Sequence, residues 1–340
     1  MATIREVANR AGVSVATVSR VVNDTGFVSD DLKERVHEAM AALHYQPSAL
    51  ARSLRRNETG NIGILLPQLD LPFFSVLAYA MEKTLYGQGY RAFMCSFEED
   101  EAKESAYINM MIQQRIDGLI LVPMGQSANN ISRLTETGTP LVLVDRDLEG
   151  VDISQVLADN RGGGYAATQH LLSLGHERIG VICPPMHSHP IVMRLEGYRQ
   201  ALAESGQTPY QPPLISTVAV YGFEEGYQAA LELLQGPEHI TAIFALTDVL
   251  ALGAIKAAHT LGLSVPQDIS IVGFDDVPVA SYSSPALTTI AQPITKMGEN
   301  AVQLLLEQIR TGSRSSTRLV LPTEMVVRQS AGEARERSTA

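Results

Sequence analysis

The chain has 340 residues, 45% of them hydrophobic, and a net charge of −11, which is room for two or three domains with a sizeable core. No apolar run approaches the roughly 18–20 residues that cross a bilayer, and MATIREVANR puts charges where a secretory signal is apolar, so a cytoplasmic protein without membrane contact is expected. The only cysteines, Cys95 and Cys183, have no metal-ligand or redox spacing, and the acidic balance excludes a uniformly basic nucleic-acid coat. That balance is uneven. Residues 1–60 hold eight Lys/Arg against seven Asp/Glu, which leaves about −12 for the rest and allows a DNA-binding head on an acidic body.

The first 57 residues read as helices alone. Thr3-Ile4-Arg5-Glu6 is a capping box that starts a helix with Ile4, Val7, Ala8 and Ala11 on one side. Gly12 ends it, because glycine accepts the left-handed exit of a tight turn. Ser14 caps a second helix whose inward positions are Val18, Val21 and Val22. Ser29 with Asp30 and Asp31 supplies a cap and two carboxylates at the positive end of a third. Its stripe is Leu32, Val36, Ala39, Met40 and Leu43, and Pro47-Ser48 opens a short helix over 48–56.

From Asn61 the pattern changes to strands alternating with helices. Apolar runs at 61–66, 90–95, 118–122 and 140–144 are separated by helical stretches near 74–87, 101–114 and 127–137. The alternation recurs with strands at 178–183, 241–246 and 269–274 and helices near 161–174, 193–205, 223–235 and 248–261. Such a pattern predicts parallel sheets covered on both faces. IGILLP and IGVICP echo each other and suggest two similar lobes. From Ser330 onward the small, polar tail reads as frayed, with 331–340 flexible.

Two short helices joined at Ala11-Gly12-Val13-Ser14 match a helix-turn-helix, whose second helix enters the major groove. With the valines inward, Val15, Ala16 and Arg20 point outward. Arg20 is suited to guanine O6 and N7, and Val15 and Ala16 to a thymine methyl. Ser14, Thr17 and Ser19 suit phosphates, as do Thr3 and Asn23 at the helix ends. The spacing alone is also met by a small three-helix bundle with one surface arginine.

TIREVANRAGVSVATVSRVVN, FVS and LHYQPSALARSL closely resemble the head of the LacI/GalR family of bacterial repressors. The likeness runs on through DGLIL, Asp159-Asn160, LGHERIGVI, RLEGY, VPQDISIVGFDD and PALTTIAQP, covering residues 3–328. Within the family the ribose and purine repressors look most similar. The resemblance implies an all-α helix-turn-helix head on an α/β periplasmic-binding-protein-like body of two doubly wound parallel-sheet lobes. The expected division is 1–46 for the head, 47–59 for a hinge helix, 60–160 with 292–322 for one lobe, and 161–291 with 323–330 for the other. The family's hinge helix folds only on operator DNA, and a nine-residue helix is indeed too short to persist alone. Its minor-groove wedge falls on Leu54, with Ala51 and Arg55 beside it.

The resemblance further implies an effector cleft beyond the strand ends. Asp145, Arg146, Thr247 and Asp275 follow predicted strands, and the family pattern adds Phe73, Phe74, Arg194, Phe223 and Gln292. Carboxylates and guanidiniums bind hydroxyls while aromatic faces cover C–H surface, so a sugar is the expected effector. Leu71 and Thr247 stand where relatives often carry asparagine, which removes hydrogen-bonding capacity. Purine repressors carry an additional arginine shortly before the RLEGY motif, whereas this chain reads MHSHPIVM, so a nucleoside or purine effector is the second choice. Taken singly, Asp145 and Asp275 also read as caps or loop acids, Arg194 as an ordinary salt bridge, Phe73 and Phe74 as core, and Asp248 as a helix N-cap.

His187 and His189 lack a third ligand, so no metal is expected. Gly162-Gly163-Gly164 lacks a phosphate-loop ending and reads as flexibility or close packing between lobes. No cofactor is implied. A sugar-cleft hydrolase would need a second carboxylate at a recognisable spacing, and none is found. A transport binding protein is opposed by the helical head. The partners expected are a palindromic operator, a small-molecule effector and a second copy of the chain, since one recognition helix reads only a half-site.

Overall fold

The computed structural model describes residues 2–23, 25–45, 58–124, 128–148, 150–186, 188–206, 214–313 and 315–334. The chain forms two compact units, Met1–Gly60 and Asn61–Ala340.

In the first unit α1 (Ile4–Ala11), α2 (Val15–Asn23) and α3 (Asp30–Ala42) close around Val7, Ala8, Ala11, Val18, Val36 and Ala39. The capping box is formed: Thr3 Oγ1 accepts from the Glu6 amide while the Glu6 carboxylate accepts from the Thr3 amide at 2.7 Å. Gly12 ends α1 at φ +66°, and the turn is tied to α3 by Arg35 Nη2, which donates to the Ala11 carbonyl at 2.6 Å. Ser14 Oγ accepts from the Thr17 amide and starts α2. Ser29 departs from expectation. It holds the N-cap position of α3, but its hydroxyl makes no capping bond, which leaves that end to the carboxylates of Asp30 and Asp31. Residues 46–57 lie outside the described residues, and with them Ala51, Leu54 and Arg55.

The second unit holds two six-stranded sheets. The first lobe contains β1 (Asn61–Leu66), α4 (Pro72–Gly87), β2 (Arg91–Ser96), α5 (Glu101–Gln113), β3 (Gly118–Leu121), α6 (Ala128–Thr137), β4 (Leu141–Val144) and β5 (Ser154–Ala158). The second contains α7 (Asn160–Ser173), β6 (Ile179–Cys183), α8 (His189–Glu204), β7 (Ile215–Thr217), α9 (Phe223–Gln235), β8 (Ala242–Ala245), α10 (Asp248–Thr260), β9 (Ser270–Asp275), α11 (Pro278–Tyr282) and β10 (Thr288–Ala291). The chain then returns to the first lobe through α12 (Ile294–Thr311) and β11 (Arg318–Leu321), and to the second through β12 (Glu324–Val326).

The strand orders are β2-β1-β3-β4-β5-β11 and β7-β6-β8-β9-β10-β12. Every pair is parallel except β10 with β12, as apolar strands covered on both faces require. Each sheet is sandwiched by two clusters of buried side chains, one per face. The 18-residue α12, absent from the expected elements, buries Met297, Ala301, Val302 and Leu305 in the first lobe's core.

Three crossings, at 158–160, 291–294 and 321–324, join the lobes, and the first and third bond to each other: the Asp159 amide donates to the Leu321 carbonyl at 2.9 Å and Thr323 Oγ1 to the Asp159 carbonyl at 3.1 Å. The tail is less free than expected. Ser330 is fully buried and donates to the Ile271 carbonyl, the Gly332 carbonyl meets His176 Nε2, and the Ala334 amide donates to the Leu174 carbonyl. Small polar residues there complete backbone hydrogen bonds beside β9.

The glycine run serves packing. Gly164 of α7 and Gly197 of α8 face each other so closely that a Cβ on Gly164 would lie 2.1 Å from the Arg194 carbonyl oxygen. Because that obstacle is backbone, Gly164→Ala should force the helices apart, lowering body stability by about 1–3 kcal/mol. Gly87→Ala, where nothing lies within 4 Å, should be neutral or slightly stabilising. Thermal unfolding of the two variants checks the contrast.

Candidate functional site

The first unit presents α2 with Val15, Ala16 and Arg20 exposed, while Val18 and Val21 are buried against α1 and α3. Thr17 and Ser19 are half-buried at the edges of that face. The hydroxyls of Ser14 and Thr17 lie 2.9 Å apart. Thr3 is committed to its capping box, and the Asn23 side-chain amide folds back to donate to the Ser19 carbonyl at 2.7 Å. The face is short, exposed and bears one guanidinium among small side chains, which fits the base edges of a groove.

The second unit has a cavity between its lobes, lined by residues of both, at the strand ends where such sheets place small-molecule sites. Its first-lobe wall is Leu71, Phe73, Phe74, Asp145 and Arg146. Its second-lobe wall includes Arg194, Tyr221, Thr247 and Asp275, with Ser188, Pro190, Ile191 and Val249 beside them. Phe73 and Phe74 open α4 edge to face, their ring centroids 5.1 Å apart.

Asp145 follows β4 at φ +66° and sits at the centre of a γ-turn, the Arg146 amide donating to the Val144 carbonyl at 2.7 Å. Asp275 closes β9 at φ +121°. Backbone held in such regions outside glycine costs about 1–3 kcal/mol and gathers where function needs a fixed side chain.

Two arginines organise the charge. Arg146 makes a bidentate pair with Glu99, Nη1 to Oε2 at 3.0 Å and Nη2 to Oε1 at 2.5 Å. Arg194, in the first half of α8, donates from Nε to Asn160 Oδ1 at 2.8 Å and from Nη1 to the Leu246 carbonyl at 2.6 Å. Its Nη1 also lies 3.2 Å from Asp275 Oδ1, and its guanidinium stacks 3.8 Å above the Phe274 ring.

Burial pushes the Asp145 carboxyl above its ordinary range, against the opposing pull of Arg146 and Arg194. Burial also raises Asp275 from 3.8 to about 6, with Arg194 and Gln292 opposing. The folded state therefore keeps the Asp275 proton longer than the unfolded chain does. The stability this contributes is complete below about pH 4 and is lost as pH rises through 6. Denaturation midpoints should fall over that window, and Asp275→Asn should flatten the fall.

Not every expected residue reaches the cavity. Phe223, the first residue of α9, is half-exposed and does not line it; Tyr221, two positions earlier, does, beside Ser188. The three-residue strand β7 carries too few apolar residues to be read from sequence, so the strand end that positions Tyr221 was hidden. Gln292 stands behind Asp275, donating from Nε2 to Oδ1 at 2.7 Å. Asp248 is not an N-cap. Thr247 holds that position, and the fully buried Asp248 carboxylate accepts from the Val277 amide at 2.8 Å and Thr289 Oγ1 at 2.5 Å. Glu99 and Asn160 were also missed: Glu99 sits in the acidic run FEEDE, which reads as a solvated loop.

Among the described residues no group of three or more His, Cys, Asp or Glu could hold a metal, and no helix is long and apolar enough to cross a membrane. His189 pairs instead with Asp147 across the lobes; His187 lies outside the described residues.

Residues 3–48 match the model of bacterial regulatory proteins of the lacI family, and residues 168–331 match a periplasmic binding protein-like domain. A relative from Edwardsiella ictaluri (strain 93-146), the HTH-type transcriptional repressor PurR, is 38% identical, with 98% of each chain covered. The lac repressor dimer bound to operator and the anti-inducer ONPF is similar with a TM-score of 0.87 at 28% identity, over 97% of this chain and 99% of that one. A LacI family transcriptional regulator from Enterococcus faecium with bound ribose is similar with a TM-score of 0.74 at 31% identity, over 81% of this chain and all of that one.

Proposed function

Since the chain belongs to the LacI family of bacterial regulatory proteins and is a DNA-binding transcriptional regulator rather than an enzyme, we propose that it is a homodimeric repressor of a palindromic operator whose affinity for DNA is set by an uncharged sugar. The observation that carries the sugar is the cavity itself: buried carboxylates and guanidiniums from both lobes converge around two phenylalanine rings and Tyr221. Hydroxyls need the first kind of group and sugar C–H faces the second. The ribose bound to the Enterococcus faecium regulator supports the same class.

A second reading, a nucleobase or nucleoside effector, is favoured by the name of the Edwardsiella ictaluri relative. Against it, the wall at the start of α8 is formed by Pro190 and Ile191 and, among the described residues, offers no further cationic donor.

The dimer follows from the head, because α2 reads one half-site and two-fold symmetry supplies the other. Tyr79 and Tyr86, one heptad apart on α4, and Phe93 on the edge strand β2 are exposed, which gives a second copy an apolar surface on the first lobe.

Effector bound across both lobes favours one arrangement of them, and operator binding depends on that arrangement. Each ligand shifts the equilibrium by no more than its differential affinity. The test selects a preferred duplex from random DNA, then measures binding to it and to random competitor with and without a panel of sugars and nucleosides. Expected is a sequence preference and an operator affinity that moves with at least one sugar. Equal affinity throughout the panel would overturn the reading, and a response to nucleosides alone would replace the sugar.

A further inference from the structure

Of the two guanidinium forks at the cavity, that of Arg146 is engaged at both ends and that of Arg194 in part. Arg146 spends Nη1 and Nη2 on the two oxygens of Glu99, while Arg194 spends Nε on Asn160 and Nη1 on the Leu246 carbonyl, with Asp275 Oδ1 3.2 Å from the same Nη1. A phosphate or carboxylate ligand is normally gripped by just such forks. The fixed charges lean the same way: Asp145, Asp275 and Glu99 are three carboxylates against the two guanidiniums. Arg146 Nε is buried and has no hydrogen-bond partner among the described residues, so it remains a single donor, suited to a hydroxyl, ring or carbonyl oxygen.

We propose that Glu99, through its grip on Arg146, restricts the effector to uncharged, oxygen-rich molecules and shuts out their phosphorylated counterparts. The proposal rests on the effector reading above. Glu99 does not line the cavity; it acts as a positioning and charge-compensating residue. A phosphoryl group brings a charge of about −1.5 to −2 at neutral pH. In this cavity it would lose its water and find a carboxylate excess and the Arg146 fork already taken. Glu99→Gln removes one negative charge and releases part of the Arg146 fork. Glu99→Asp keeps the charge.

The experiment uses the full-length chain as wild type, E99Q and E99D. Binding is measured by calorimetry with matched pairs: ribose and ribose 5-phosphate, glucose and glucose 6-phosphate, inosine and inosine 5′-monophosphate. Wild type should bind neutral members only. In E99Q the ratio of phosphorylated to neutral affinity should rise at least about tenfold, while E99D keeps the wild-type preference.

A second arm needs no effector. Sulfate should raise the melting temperature of E99Q by more than that of wild type, and this gain should vanish in the double variant E99Q/R146Q. The comparison between variants cancels sulfate's general stabilising effect. Wild-type binding of a phosphorylated member as tightly as its neutral partner would overturn the proposal. So would an unchanged ratio in E99Q together with no sulfate gain. If no neutral member binds wild type, the sugar reading fails, and the sulfate arm alone decides the role of Glu99.

Discussion

Arg194→Ala should leave operator binding at its wild-type strength while abolishing the response to every effector. Arg194 is buried, and it joins the crossing at Asn160, the end of β8 at the Leu246 carbonyl and the end of β9 at Asp275. Its removal takes a cation from the cavity wall and leaves the Asp275 carboxylate buried against Gln292 alone. Breaking one side of a buried pair typically costs about 3–5 kcal/mol. Protonation of Asp275, already displaced upward by burial, reduces that cost at acidic pH. Body stability should therefore fall by about 3 kcal/mol at neutral pH and by less near pH 5. Should Arg194→Ala fold poorly, the near-isosteric Asp275→Asn provides the same test: effector titration should move neither variant's operator affinity. A wild-type response in both would contradict the site.

Arg20→Ala should weaken operator binding by about 1–3 kcal/mol per lost bidentate contact, or roughly 5- to 150-fold, and relax the preference at one base pair of each half-site. Arg20 is exposed on α2 and carries none of the head's core, so melting should shift by no more than an ordinary surface substitution allows. Ser14→Ala or Thr17→Ala should instead weaken binding evenly across sequences, as loss of a phosphate contact does. Anisotropy titrations against single-base operator variants separate the two patterns. Retention of full sequence preference by Arg20→Ala would remove it from base readout.

Local signals carried far in the head. The Thr3–Glu6 box, the Gly12 exit and the Ser14 cap each involve residues within four positions, so their hydrogen bonds are legible wherever the residue types recur at that spacing. Strands that are apolar throughout, such as Leu141–Val144, were equally plain, and so were the residues that leave them, Asp145 and Arg146. Signals failed where an element was short or its role depended on a distant partner. β7 is three residues long and hid Tyr221. Glu99 gains its place in the site from Arg146, 47 positions away, and the tail from β9 and the end of α7, to which Gly332 and Ala334 are bonded.

By itself, the sequence determined the helical head, the repeated strand–helix units and the family, because periodicity, caps and motifs are properties of neighbouring residues. Only the tertiary structure decided that 294–311 is one long helix packed into the first lobe's core, that Tyr221 rather than Phe223 faces the cavity, and that Glu99 fills the Arg146 fork. These depend on which strand ends the three crossings bring together. Burial there sets the strength of each charge, and neither burial nor proximity across more than a hundred residues is written in local spacing.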